Sequence, residues 1–203
     1  MLLSVTAVRR RIMDWHYSQC VPGVVAVVPP AADSGAAPTK TSSASVPPST
    51  AGPGTVLQSG YYWIRAVEAP NFHKYLQSNP LYSEGGAILD TYTTAGQFQI
   101  VSGQLVQLIT GGFLYAVVEK QANSTVNKLA VSFSKDKNTY GTFAFSGDAV
   151  QWSVPDIKRQ NLSAWLVCGA KSLWINLGAY GYMTPTGCAD ETIHYYNDKT
   201  AVP

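Results

Sequence analysis

Between residues 97 and 178 the chain writes one local pattern three times: "QFQIVSGQLVQLI" (Gln97 to Ile109), "TFAFSGDAVQWSV" (Thr142 to Val154) and "AWLVCGAKSLWINLG" (Ala164 to Gly178). Each is a pair of short apolar alternations around a reversal, at Ser102-Gly103, at Ser146-Gly147-Asp148 and at Gly169 to Ser172. A period of two sends successive side chains to opposite faces, and glycine at the reversal permits the positive φ of a tight hairpin. "GYYWIRAVEA" (Gly60 to Ala69) follows the same rule, with Tyr62, Ile64 and Ala66 against Trp63, Arg65 and Val67. No long stretch shows the 3.6 period of a helix; "NFHKYLQS" (Asn71 to Ser78) is expected to make one or two helical turns. The pattern predicts an all-β body, an antiparallel sandwich or barrel of short hairpins. The first two hairpins share Ser-Gly-x-x-Val-Gln, at Ser102 to Gln107 and Ser146 to Gln151, so a β-trefoil-like repeat is the alternative. The unequal spacing of the three copies argues against a propeller or solenoid.

The body is expected over 57–203. Ahead of it, 29–56 ("PPAADSGAAPTKTSSASVPPSTAGPGTV") holds six prolines and no aromatic residue. Such a segment buries too little apolar surface to offset the entropy of ordering, so a disordered linker is expected there. Its Ser/Thr/Pro content suits O-glycosylation. Residues 1–28 form a third, short piece that contains "DWHYSQCVPG", three consecutive aromatic residues followed closely by a cysteine.

Charge removes several function classes. Only 13% of the 203 residues are charged, and the net charge of +2 rests on Arg9, Arg10 and Arg11. From position 31 onward there are eleven basic and eleven acidic residues. A neutral body offers no footprint to a phosphate backbone, so nucleic acid is not an expected partner. The longest apolar run, around "VVAVV" (Val24 to Val28), is too short to span a bilayer, and no membrane partner is expected. "MLLSVTAVRRRIM" does not read as a signal peptide, because its arginines follow the apolar part. Yet low charge with abundant Tyr, Thr and Ser suits a secreted β-protein, so extracellular or wall-associated placement is expected behind a truncated or mispredicted N-terminus.

The residues that carry chemistry are few. Cys168 and Cys188 both lie in the body beside glycines. In an oxidising compartment they are expected to pair, two buried free thiols being the alternative. Asn123-Ser124-Thr125 and Asn161-Leu162-Ser163 are N-glycosylation sequons. His73 and His194, with Asp90, Asp190 or Glu191, do not have a spacing that requires a metal, and no metal or other cofactor is expected. Carboxylates available for glycoside hydrolysis are Glu68, Glu84, Asp90, Glu119, Asp190 and Glu191, but their separation in space decides, and sequence does not show it. No Gly-x-Ser-x-Gly elbow, phosphate loop or dinucleotide fingerprint occurs. Tyr61, Tyr62, Trp63, Tyr180, Tyr182, Tyr195 and Tyr196 gather near the two ends of the body, and "LGAYGYMTPTG" is a Gly-spaced Tyr loop of the kind that stacks on sugars. Tyr180 and Tyr182 are the candidate sugar-binding rings of the body; packing in the core is the other use for such side chains.

"WHYSQC" (Trp15 to Cys20), followed by a Pro/Ser/Thr-rich linker, resembles the last strand of a fungal family 1 carbohydrate-binding module. That module is a small disulfide-stapled knot which binds crystalline cellulose through a row of aromatic rings. The resemblance implies that Tyr17 with His16 or Trp15 are platform rings, that Gln19 is a flanking hydrogen-bonding residue, and that Cys20 is half of a disulfide. Only about six residues match, too few to fold alone. The segment is therefore expected to be the severed end of a module whose remainder, including the partner of Cys20, lies outside this sequence. The body is similar, more faintly, to small secreted fungal cell-wall proteins of the phialide-associated mannoprotein type, through "AWLVC" and a late "GC". Together these imply a secreted, non-catalytic protein at a polysaccharide surface, cellulose or fungal wall glycan. The competing expectation is a glycan-active hydrolase, lyase or accessory oxidase.

Overall fold

The computed structural model describes residues 52–169 and 171–203. Trp15, His16, Tyr17, Gln19 and Cys20 lie outside the described residues. Within the described residues run thirteen strands: β1 (Trp63–Ala66), β2 (Tyr75–Asn79), β3 (Gly85–Asp90), β4 (Phe98–Val101), β5 (Gln104–Ile109), β6 (Gly112–Val118) and β7 (Lys128–Ser134) come first. They are followed by β8 (Thr142–Ser146), β9 (Ala149–Ser153), β10 (Trp165–Cys168), β11 (Ser172–Asn176), β12 (Cys188–Glu191) and β13 (Ile193–Tyr196). The only helical element among them is a single 3₁₀ turn, Tyr92–Thr94.

The strands form one antiparallel sheet in the order β4-β5-β6-β7-β11-β3-β2-β1-β13-β9-β8, with β10 and β12 branching from β11. The two ends of this path approach each other. Phe143 N, on β8, donates to Gly103 O in the β4–β5 turn at 2.9 Å, and Tyr62 and Phe98 exchange two backbone bonds of 2.8 Å. The sheet is thus a nearly closed barrel, which leaves little unpaired edge. Its strand order has no threefold repetition, so the barrel reading holds over the trefoil-like one.

All three predicted hairpins form, and the first two present their shared motif to opposite faces. In the first, Ser102 and Gly103 are the two turn residues, both at positive φ, as a type I′ turn requires. In the second, Ser146 still pairs with Ala149, and Gly147-Asp148 make the turn, with Gly147 at φ 60°. The turn sits one residue later, and the two copies present opposite faces on both arms: Gln99 points outward where the aligned Phe143 lies in the core. Gln107 turns into the barrel and Val106 away from it, whereas Val150 enters the core and Gln151 does not.

One core fills the barrel, with Ile64, Phe98, Leu105, Leu114, Phe133, Trp152 and Trp165 among its residues. A second, small one lies on the outer face of β1 and β2, where Trp63 and Tyr75 pack with Ala95, Leu57 and Ala201. The chain segments flanking the sheet cover it. Trp63 Nε1 donates to Asp198 O at 3.0 Å, Tyr75 Oη to Val202 O at 2.9 Å, and Leu57 N to Lys199 O at 2.9 Å. Buried Gln97 receives Gln58 N at 2.8 Å and donates to Gly54 O and Val56 O at 3.1 and 2.9 Å. Strand β1 is therefore covered on both faces, and Trp63 on the outer face is buried as fully as Ile64 on the inner one.

The expected helical turns over Asn71 to Ser78 are not there. Residues 75–79 are β2, paired along its length with β3 and at Tyr75 with β1. Burial of four consecutive residues, on both faces, and two strand neighbours outweigh the weak local preference of this stretch.

Candidate functional site

Strands β4, β5 and β6 turn Phe98, Ile100, Leu105 and Leu114 inward, so the alternate residues face outward. Register places Gln99, Val106 and Tyr115 in one row across the three strands. Val101 pairs with Gln104 on one side of this row, and Leu108 with Phe113 on the other. The result is an open groove of about 310 Å³ with Val106 as floor, Phe113 and Tyr115 of β6 as one aromatic side, and Gln99, Gln104 and Lys137 contributing polar groups.

Hydrogen bonds preset this groove. Gln104 is locked to the loop bearing Lys137, accepting from Asn138 N at 2.9 Å and donating to Asn138 O at 3.2 Å. Asn138 is itself buried and bonded to Val118 N, Tyr140 O and Gly141 O. Gln99 Nε2 donates to Tyr61 Oη at 3.1 Å. Phe113 remains 42% exposed and Val101 49%. Aromatic and apolar surface with fixed amides beside it is chemistry suited to a sugar chain, whose C–H faces stack on rings and whose hydroxyls bond to amides.

A second cluster lies where β12 meets the segment after β1. Glu191 pairs across the sheet with Trp165 and is fully buried. Its Oε1 accepts from Glu68 N at 3.1 Å, and its Oε2 has no partner. Burial is the main reason its pKa is pushed up to about 7, against the lowering effect of the Glu68 amide and of Asn71. The Glu68 carboxylate receives Thr192 Oγ1 at 3.0 Å. The Tyr180 hydroxyl is buried nearby, and its pKa is raised first by burial and then by the Glu68 carboxylate beside it. Asp190, the neighbouring residue on β12, instead receives Asn176 Nδ2 at 2.7 Å and the Thr184 hydroxyl. No group of three or more His, Cys, Asp or Glu arranged to hold a metal occurs among the described residues.

The residues singled out in the sequence separate into distinct surroundings. Tyr180 is half-buried with its hydroxyl turned into the carboxylate cluster, whereas Tyr182 is 69% exposed beside the still more exposed Met183. Tyr62 packs on Tyr195 at 4.7 Å between ring centres and, like Tyr195, against Phe145. Tyr196 lies under the Arg65 guanidinium at 3.9 Å. His73 Nδ1 is 2.7 Å from Pro203 O, and His194 Nδ1 is 3.0 Å from Asp148 Oδ2. The sequon residues Asn123 and Asn161 are both exposed, each with Oδ1 accepting the amide two residues on. Cys168 and Cys188 form a disulfide between directly opposed positions of β10 and β12.

Of the candidate carboxylates, the fold brings Glu68, Asp190 and Glu191 together and leaves Glu84, Asp90 and Glu119 elsewhere. Sequence reading does not find the groove. The alternation of β4 to β6 does group Gln99 with Val101 and Phe113 with Tyr115, but both faces carry apolar residues, and only closure of the barrel decides which one faces out. No family model matches the chain, and no curated protein or solved structure matches it.

Proposed function

We propose that the protein is a secreted, non-catalytic polysaccharide-binding protein whose outer β4–β6 face holds a glycan chain. The observation that carries this reading is the groove itself: Phe113 and Tyr115 of β6 line one side of the Val106 floor, and Gln104 is held rigid beside it. An open groove suits a chain passing through, whereas a closed pocket suits a chain end. The disulfide and the two exposed sequon asparagines fit an extracellular setting. The resemblance of Trp15 to Cys20 to a cellulose-binding strand makes cellulose and fungal wall glycan the partners of choice. Neither nucleic acid nor a membrane is the proposed partner; no helix among the described residues is long and apolar enough to cross one.

The test is retention of the full chain on cellulose, chitin and β-glucan, with soluble sugar assayed in parallel. Wild-type protein is retained on at least one of them, and the Phe113→Ala/Tyr115→Ala double variant is released at least tenfold more readily while remaining folded. Equal retention of the two proteins sinks the groove.

A second reading, a glycan-active enzyme, is favoured by one observation, the buried Glu191 carboxyl held near neutrality next to Glu68. Soluble sugar released by wild type and abolished in Glu191→Gln supports it; no release from any of the three glycans removes it.

A further inference from the structure

We propose that the Cys168–Cys188 disulfide is a thiol–disulfide exchange site activated by Lys128, with a small thiol or dithiol as its reductant. The two cysteines face each other across β10 and β12, and β12 is bonded to β10 alone. Trp165 and Val167 turn into the core, so Cys168 turns to the other face of the sheet. On that face stand Trp174 and Asn176 of β11, with Lys128 of β7 directly opposite Asn176. Lys128 Nζ lies 3.6 Å from Cys168 Sγ and 3.7 Å from Cys188 Sγ, and 4.3 Å from the centre of the Trp174 ring. The nearest carboxylate along β12, Asp190, is engaged by Asn176 and Thr184, and among the described residues Lys128 forms no ion pair.

A disulfide sulfur is a neutral, weak acceptor and gains little from an ammonium group. A thiolate gains much more. The position of Lys128 therefore suits the product of reduction better than the oxidised state. Cys188 is the more exposed of the two cysteines, Cys168 being buried. The reductant's thiolate attacks Cys188 Sγ; a new S–S bond forms there as the Cys168–Cys188 bond breaks. The electron pair leaves on Cys168 Sγ, beside the Lys128 ammonium. With a dithiol, the second thiol gives its proton to solvent and displaces Cys188 as a thiolate. The reductant departs as its own disulfide, and the two electrons it loses now reside on the protein's two sulfurs. With a monothiol, the mixed disulfide remains on Cys188. Exchange removes the covalent tie between β10 and its outer neighbour β12, and opens the loop carrying Tyr180 and Tyr182.

Two experiments on the full chain test this. In the first, glutathione is added, free thiols are trapped with iodoacetamide, and peptides are mapped. Glutathione is expected on Cys188 and carbamidomethyl on Cys168; the reverse assignment, or no adduct at either, overturns the order of events. In the second, reduction by dithiothreitol is timed for wild type, Lys128→Gln and Lys128→Arg. The Gln variant is expected to react about tenfold more slowly, and the Arg variant within about twofold of wild type. Equal rates for wild type and Gln, or a faster Gln variant, overturn the role of Lys128. Circular dichroism establishes that Lys128→Gln is folded; if it is not, Arg decides, since an inert lysine lets the bulkier guanidinium slow exchange.

Discussion

The backbone amide of Glu68 donates to Glu191 Oε1 at 3.1 Å, joining two acidic residues 123 positions apart. Burial raises the Glu191 pKa from 4.5 to about 7 in the folded chain. Between those values the folded state binds a proton that the unfolded state does not. The contribution to stability is therefore complete below pH 4.5 and is lost as pH rises through 7. It amounts to on the order of 3 kcal/mol. Urea unfolding at pH 5 and pH 8 is expected to show wild type less stable at pH 8, and Glu191→Gln is expected to remove most of that difference. A pH-independent gap between the two proteins over this range contradicts the assignment.

Arg159 is a cation held by carbonyl groups. Its guanidinium donates to Asn176 O, Trp152 O and Leu162 O at 2.9, 2.8 and 3.3 Å, and to Ala164 O at 2.5 Å. Burial lowers its pKa to about 10, which leaves it charged at neutral pH. A lysine ammonium does not span four such acceptors. Arg159→Lys is expected to cost about 2 kcal/mol and Arg159→Met about as much or more, because buried carbonyls lose their donors. Denaturant midpoints measure both; a change below about 0.5 kcal/mol in Arg159→Met refutes the clamp.

Two glycines at positive φ are expected to respond differently to alanine. At Gly141, φ is 75°, and an added Cβ meets Ser153 O and Trp152 Nε1 at 2.6 Å each. At Gly147, φ is 60°, and nothing lies within 4 Å. Gly147→Ala is expected to cost about 1 kcal/mol from backbone strain alone. Gly141→Ala adds a clash with backbone and with fully buried Trp152, and is expected to cost at least about 3 kcal/mol. Thermal melts of the pair decide, and equal costs would show that the ring moves freely.

The disulfide joins positions 20 apart in sequence. Removing it in Cys168→Ala/Cys188→Ala is expected to lower stability by about 3 kcal/mol by the loop-closure estimate. Chemical unfolding of the double variant, compared with oxidised wild type, reads this directly; no loss would mean that the β10–β12 ladder alone holds the strand.

Glu191, Glu68 and Tyr180 show where sequence reading stops. Each was visible as a residue type able to do chemistry, but their meeting depends on the segment after β1 reaching β12. Trp63 and Tyr62 make the same point for the aromatic residues. Sequence left sugar stacking and core packing both open for this aromatic group; Trp63 is covered by the segments flanking the sheet, and Tyr62 packs on Tyr195 and Phe145.

The sequence by itself determined the local elements: the all-β class and three hairpins with their reversals. These depend on period, turn chemistry and side-chain type, which act over a few residues. Tertiary structure decided the strand order, the face presented by Val106 and Gln107, and the placement of Phe113 and Tyr115 on an open groove. It also set Lys128 against the disulfide and turned Glu191 inward. Those outcomes follow from closing one sheet into a barrel, where the register of each strand against its neighbours sets inside and outside. Alternation fixes which residues share a face, but only closure of the barrel settles which face meets solvent.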